Sequence, residues 1–404
     1  MRIIIIGGGP AGVTTAIRAK NDQNEVIILE RNDRLLKKLL LTGNGRCNYF
    51  NEDFSLEYYN SQDTSRIEEI IDDKNGWDVK SFFDSIGIIP KIKNDYYYPV
   101  TNQASTIRDA LIHEVEKNNI SVYCNTYVTK VEHKNDKFLV STNEREYYCD
   151  KVVIATGSYA YPKTGSDGAG YNFLRGFSHN IVPPVPALVQ LESNFPYCRE
   201  WDGIRCDVKL DIYEDDKYQA SEQGEIQLTD YGVSGICVFN LSHYASRGLF
   251  ERKKIKLEIN FVPFIETLFI PWIDRYSKKN ATKNIKELLE GFLNKKLVPI
   301  ILKYANIDGK RYYQELSGEE RLIIARSLTQ FTIEITGTKG YDNAQICDGG
   351  VRLSEINLET MESELVKGLY VVGELIDLNG KCGGYNLATC WITGLLAGKS
   401  IAEE

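Results

Sequence analysis

RIIIIGGGPAGVTTAIRAKNDQNEVIILE, residues 2–30, decides the fold of this chain. Arg2 to Ile6 is a short apolar run ended by glycines, Ala11 to Ala19 reads as a helix, and Glu25 to Leu29 is a second buried strand. Together they form a β-α-β unit with Gly7, Gly9 and Gly12 in the frame GxGxxG between strand and helix. Gly7 permits the tight turn, Gly9 lets backbone N–H groups approach a pyrophosphate, and Gly12 lets the helix pack on the strand. The positive N-terminal end of the helix then favours a phosphate. Glu30 closes the second strand 18 residues beyond Gly12, where an acid can accept both ribose hydroxyls. Strand, helix and terminal acid agree on a dinucleotide site.

Working outward, the 404 residues suggest two or three domains at roughly 150 residues each. Hydrophobic residues at 43% and charged residues at 26% exclude a disordered or fibrous design. The net charge of −8 has no long single-sign block, which argues against a nucleic-acid surface. Lysines between Lys278 and Lys303 are broken by Glu287, Glu290 and apolar residues at helical spacing, the pattern of a solvated helix face. No run reaches the 18 or so apolar residues needed to cross a bilayer. With a strand starting at Arg2 there is no room for a signal peptide, so a cytoplasmic enzyme is expected. Nine cysteines, an odd number without a CxxC pair, exclude a disulfide framework or a zinc site.

Helical signals cover Ser65 to Ile71, Trp77 to Ile86 and Thr106 to Asn118, the last followed by a strand from Ser121 to Cys124. Lys151 to Ile154 is another buried strand, ending in Ala155, Thr156 and Gly157. Past Pro183, Pro184 and Pro186, apolar residues alternate with polar ones from Cys206 to Ile212, as in antiparallel strands. Strand-like pieces follow at Glu225 to Leu228, Ile236 to Leu241 and Lys254 to Phe261, then a helical stretch from Thr267 to Gln330 and a strand from Phe331 to Thr336. Leu369 to Val372 is a short strand before Gly373, and Leu387 to Ile401 a final helix. The expected division is 1–187 and 346–404 for a split nucleotide domain, 188–266 and 331–345 for a β-rich insert, and 267–330 for a helical subdomain.

A nucleotide fold that opens at residue 2 and returns at the C-terminus resembles the flavoprotein disulfide-reductase superfamily, in which FAD occupies the N-terminal fold. The resemblance narrows at KKLLLTGNGRCN, Lys37 to Asn48, which is similar to the signature of the bacterial HI0933-like flavoproteins, a family that includes BaiN-type and aminoacetone-oxidase-type proteins. It extends through IATGSYAYPKTGSDGAGY (154–171), GEIQLTDYGVSG (224–235), GGV (349–351) and GELIDLNGKCGGYNLATCW (373–391). What it implies is an α/β, glutathione-reductase-type Rossmann domain holding FAD, with an inserted β-barrel-like domain and a helical subdomain. The implied cofactor contacts are Gly7, Gly9, Pro10, Ala11, Gly12, Glu30 and Arg31 at the first corner. Lys37, Lys38, Thr42, Gly43, Asn44, Gly45, Arg46, Cys47 and Asn48 follow, with Val128 at the adenine and Ala155, Thr156 and Gly157 at the strand end. Gly373, Glu374 and Asp377 lie toward the ribityl and pyrophosphate, and Gly383, Gly384, Tyr385, Asn386 and Leu387 open the last helix. Asn44 stands where the family has glycine, Cys382 where it often has threonine, and Cys347 with Asp348 replaces a threonine-containing pair, so the substrate edge is this chain's own.

Arg46 is expected beside the flavin or pyrophosphate, against the alternative of an ion pair holding a loop. Tyr159, Tyr161, Tyr231 and Cys382 are candidates for the substrate pocket, expected between the Rossmann domain and the insert. Cys47 and Cys382 stand alone, so packing is favoured over dithiol chemistry. The four histidines form no ligand pattern and no metal site is expected. With no second strand–GxGxxG–helix unit, NADH or NADPH would bind only transiently. The expectation is an FAD-dependent oxidoreductase of a small organic substrate, reducing an activated double bond with NAD(P)H; the alternatives are an amine oxidase releasing peroxide, and a flavin-dependent RNA-modifying enzyme or flavin redox partner. Nothing in the sequence speaks to oligomeric state.

Overall fold

A computed structural model describes residues 1–265 and 268–404, which divide into two compact units, 1–185 with 345–404 and 186–344. The expected border at 266 and 267 between the β-rich insert and its helical part lies outside the described residues.

The first unit is built on a five-stranded parallel sheet in the order Leu369–Val371, Lys151–Ile154, Arg2–Ile6, Glu25–Leu29, Ser121–Tyr123. Ile3 to Ile6 and Val152 to Ile154 are buried throughout, as a parallel sheet covered on both faces requires. All five strands therefore run the same way, and ligands of such sheets bind outside the carboxyl ends of the strands, where the strand order reverses. The final strand of the sheet comes from the C-terminal segment, so residues 369–371 complete a layer that residue 2 began.

The last helix, Tyr385–Glu403, lies against the first, Pro10–Ala19. Gly394 and Gly398 make this possible. A Cβ on the first would stand 2.7 Å from the Ala11 carbonyl oxygen and one on the second 2.8 Å from that of Thr15. Trp391, fully buried, donates its indole N–H to the Tyr49 carbonyl at 2.9 Å and so ties the helix to the segment after the loop at 42–48. A three-stranded antiparallel sheet, Val128–Lys134, Lys137–Thr142 and Glu146–Cys149, accompanies the parallel one; sequence reading passed over it.

The second unit is a closed barrel of Leu191–Ser193, Gly232–Ser234, Lys217–Thr229, Arg205–Glu214, Ile255–Asn260 and Phe331–Thr338. Val208, Leu210 and Ile212 are fully buried while Asp207 before them and Lys209 among them are exposed, the alternation expected of a strand with one buried face. Ile236 to Leu241 is not a strand. It opens a helix, Ile236–Phe250, whose buried Cys237, Val238, Leu241 and Ala245 recur at helical spacing. Ser65 to Ile71 is likewise a tighter 3-10 turn, Thr64–Glu69, rather than an α-helix. Helices Phe269–Lys279, Ile285–Leu289, Leu297–Ala305 and Gly318–Thr329 make up the helical part. Among the described residues no helix is long and apolar enough to cross a membrane.

Candidate cofactor site

The first corner is shaped by positions where a side chain has no room. Gly7 takes φ +107, and a Cβ there would stand 2.4 Å from the Ala155 carbonyl oxygen; a Cβ on Gly12 would stand 2.1 Å from that of Gly7. Gly9 is different. It has φ −78, and a Cβ built on it meets no atom within 4 Å. The first turn of the helix, with Pro10 at its start, thus opens onto free space where its unpaired N–H groups begin.

Glu30, 6% exposed, accepts from the Gly8 N–H at 2.7 Å through Oε2 and from the N–H and Nδ2 of Asn32 at 2.7 Å through Oε1. Asn32 therefore takes up Oε1, and Oε2 keeps capacity for a sugar hydroxyl, where the sequence has the acid accept both ribose hydroxyls. Arg31 is engaged by Asp167 and lies 5.0 Å from the Tyr127 ring centroid, while Lys37 pairs with Asp33 at 3.6 Å. Val128, buried, begins the strand beyond Tyr127.

The loop at 42–48 coils through left-handed backbone at Gly43, Asn44, Gly45 and Cys47, with φ of 56°, 54°, 81° and 58°. Asn44, standing for the family's glycine, is among the side chains that adopt this conformation most readily. The Cys47 N–H closes the loop on the Thr42 carbonyl at 3.0 Å, and Thr42 Oγ1 donates to the Leu39 carbonyl at 2.7 Å. Burial pushes the Cys47 thiol up to about 12, which disfavours the reactive thiolate. Arg46 is exposed, and its guanidinium has no hydrogen-bond or ion-pair partner among the described residues, which removes the alternative of a loop-holding ion pair. Asn48 Oδ1 is buried without a partner and stands 2.9 Å from where a Cβ of Gly384 would be.

The C-terminal corner meets the N-terminal one. Gly373 has φ +70, and a Cβ there would stand 2.9 Å from the Cβ of Ala11; its N–H donates to Thr393 Oγ1 at 3.0 Å. Lys38 Nζ contacts both Glu374 oxygens, at 3.0 and 2.8 Å, and Ser158 Oγ donates to the same carboxylate at 3.0 Å. Asp377, buried, accepts from the Gln62 N–H at 2.9 Å, so its carboxylate fixes a turn. Asn386 brackets Gly380, accepting from its N–H at 2.8 Å and donating to its carbonyl at 2.7 Å. Asn51 Nδ2 holds the Gly383 carbonyl at 2.9 Å. Tyr385 is buried and Leu387 half-buried at the start of the last helix.

Ala155, Thr156 and Gly157 follow the strand Lys151–Ile154, and Thr156 Oγ1 is buried with no partner among the described residues. The Tyr159 ring packs on Gly168 and 5.3 Å from that of Tyr171, Tyr161 holds a left-handed φ of 60°, and Cys382 is half-exposed. Tyr231 belongs to the barrel unit, where Lys339 Nζ lies 4.2 Å from its ring centroid. Asn32, Asn51, Ser158 and Thr393 had no sequence signal, since each acts through a partner remote in the chain or through a side-chain bond that no motif records. Among the described residues no group of His, Cys, Asp and Glu is placed to hold a metal ion.

An open helix N-terminus at Gly9, a buried acid at Glu30, an unpaired Arg46 and orphaned polar atoms on Asn48 and Thr156 suit a dinucleotide. The fold is a Rossmann-type domain with a barrel insert, and family and full-length relative make the chain an FAD-dependent oxidoreductase. The chain belongs to the HI0933-like family: residues 1–400 match the model described as "HI0933-like protein Rossmann domain". It is 35% identical over 407 residues to the 3-dehydro-bile acid delta(4,6)-reductase of Clostridium scindens, covering 100% of this chain and 99% of that one. The ribosomal RNA dihydrouridine synthase of Escherichia coli is 27% identical over 388 residues, covering 96% of this chain and 94% of its own. Among solved structures, the 3-ketosteroid-delta4-(5alpha)-dehydrogenase of Rhodococcus jostii shares the fold at TM-score 0.52 and 12% identity, over 100% of this chain and 96% of that chain.

Proposed function

We propose that the protein reduces a carbon–carbon double bond conjugated to a carbonyl in a small organic substrate, with FAD bound at the two glycine corners and NADH or NADPH as reductant. The observation that carries this reading is the full-length relationship at 35% identity to a reductase whose name describes saturation of ring double bonds in a 3-keto substrate. The second relative's name, dihydrouridine synthase, also describes saturation of a ring double bond, so the two share one chemistry on different substrates.

FAD supplies, when bound, hydride transfer between the reduced nicotinamide and the substrate carbon. The first helix offers its N-terminal N–H groups and dipole to the pyrophosphate. Glu30 Oε2 accepts from an adenosine ribose hydroxyl, and Arg46 brings the one unpaired cation of the loop at 42–48 to the cofactor. The last helix, starting at Tyr385, would offer its positive N-terminal end to the bound cofactor. An N-terminal dipole contributes about 0.3–1 kcal/mol when exposed and up to about 2 when partly buried, which favours negative charge there. Free thiols among the described cysteines accord with a reducing, cytoplasmic setting.

Anaerobic mixing with NADH and NADPH, followed by a 3-keto steroid enone, tests the proposal. Bleaching of the flavin absorbance by one nicotinamide and its return on adding the enone is the expected result; no bleaching by either refutes it. The RNA reading rests on the 27% relative and is weakened by the net charge of −8, since phosphate contacts need clustered Lys and Arg. Ribosomal RNA fragments that reoxidise the reduced protein when the enone does not would shift the conclusion to it.

A further inference from the structure

Sequence resemblance counts Lys38 and Glu374 as separate cofactor contacts, yet their charged ends meet each other. Lys38 Nζ lies 2.8 and 3.0 Å from the two Glu374 oxygens, across 336 residues of chain, with side chains only 22% and 21% exposed. Ser158 Oγ donates to Oε2 at 3.0 Å and itself accepts the Ala160 N–H at 3.2 Å. The backbone beneath the acid is fixed as well: the Glu374 carbonyl accepts from Tyr171 OH at 3.3 Å, and the Gly373 N–H is held by Thr393. Three parts of the chain converge on one carboxylate: the segment leading to the loop at 42–48, the turn after the strand Lys151–Ile154, and the C-terminal corner.

An exposed ion pair of this kind contributes little. A pair nearly four-fifths buried behaves differently, because removing one partner leaves the other charge poorly solvated and free to swing away. The observed bonds occupy most of the Glu374 acceptor capacity, and Lys38 is committed to the same carboxylate.

We infer that Lys38, Glu374 and Ser158 form a clasp, a positioning device that locks the C-terminal glycine corner onto the N-terminal segment and so sets the width of the FAD site. The inference rests on the FAD reading above. Lys38 and Glu374 then act as one unit: breaking either half opens the same clasp, and breaking both opens it no further.

The test is a double-mutant cycle with Lys38→Met, Glu374→Gln and the double variant, read by FAD dissociation constant from flavin fluorescence and by thermal unfolding of the apoprotein. Each single variant is expected to weaken FAD roughly tenfold, a change of about 1.4 kcal/mol. The double variant should be no worse than the weaker single by more than about twofold, and Lys38→Arg should retain most of the affinity. Losses that multiply in the double variant mean independent contacts with the cofactor and overturn the clasp, as does unchanged affinity in both singles. Because Lys38→Met and Glu374→Gln nearly preserve side-chain volume, non-additive unfolding of the apoprotein supports the clasp even if FAD uptake becomes too weak to measure. A wild-type protein that takes up no FAD would instead sink the cofactor reading itself.

Discussion

Gly9→Ala separates binding from folding more sharply than any other change at the first corner. Its backbone, φ −78 and ψ −176, is open to any residue, and the added methyl meets no protein atom within 4 Å. Alanine is a poorer helix cap than glycine but reduces the freedom of the unfolded chain, so the apoprotein should change by about 1 kcal/mol or less. The methyl instead stands in the space through which a pyrophosphate must approach the helix N-terminus. If FAD binding weakens tenfold, stabilisation at a concentration of 100 wild-type dissociation constants falls from about 2.7 to about 1.4 kcal/mol. Thermal unfolding with and without FAD reads both quantities in one experiment. Gly12→Ala is the control: its methyl would stand 2.1 Å from the Gly7 carbonyl oxygen, so backbone must move, and the apoprotein itself should lose several degrees of Tm. A Gly9→Ala protein that gains as much from FAD as the wild type, or that unfolds like the Gly12 variant, would refute the reasoning.

Other outcomes follow from single contacts. Arg46→Ala should leave apoprotein stability within about 0.5 kcal/mol, since the guanidinium has no described partner, while lowering FAD content or turnover; full retention of both removes Arg46 from the site. Cys47 should resist alkylation by iodoacetamide at pH 8 in the folded protein, its thiol being held up to about 12 by burial, and rapid modification there would contradict the packing role. His179, buried between Glu355 at 2.9 Å and Ser363 at 2.9 Å, has its pKa lowered by burial despite the Glu355 carboxylate. The unfolded chain then binds the proton more readily, so this contribution is present above about pH 6.5 and is lost as pH falls through that value toward the folded pKa. His179→Gln should flatten that part of the unfolding-versus-pH curve, and an unchanged slope would show that other groups produce it.

How much of this was legible in the sequence depends on whether a feature is local. The strand–GxGxxG–helix unit is encoded in 29 consecutive residues, and the structure places it with the parallel sheet and the open helix end that the pattern demands. The helix at Ile236–Phe250 was misread because five of its first six residues, ICVFNL, are apolar in a way that fits a buried strand equally well; only the spacing carried on to Ala245 reveals a helix. The Asn32 bonds to Glu30 were hidden because an acid at a strand end carries no mark of how many protein donors already surround it. Lys38 with Glu374, and Trp391 with Tyr49, join residues more than 300 positions apart, beyond the reach of any periodicity. The resemblance flagged both Lys38 and Glu374 but could not show that they meet.

The most direct measurement is the visible absorption spectrum of the purified protein, repeated after reconstitution with FAD and gel filtration. The account predicts a yellow protein with close to one FAD for each chain. A protein that stays colourless after reconstitution, while its circular dichroism shows it folded, would contradict it.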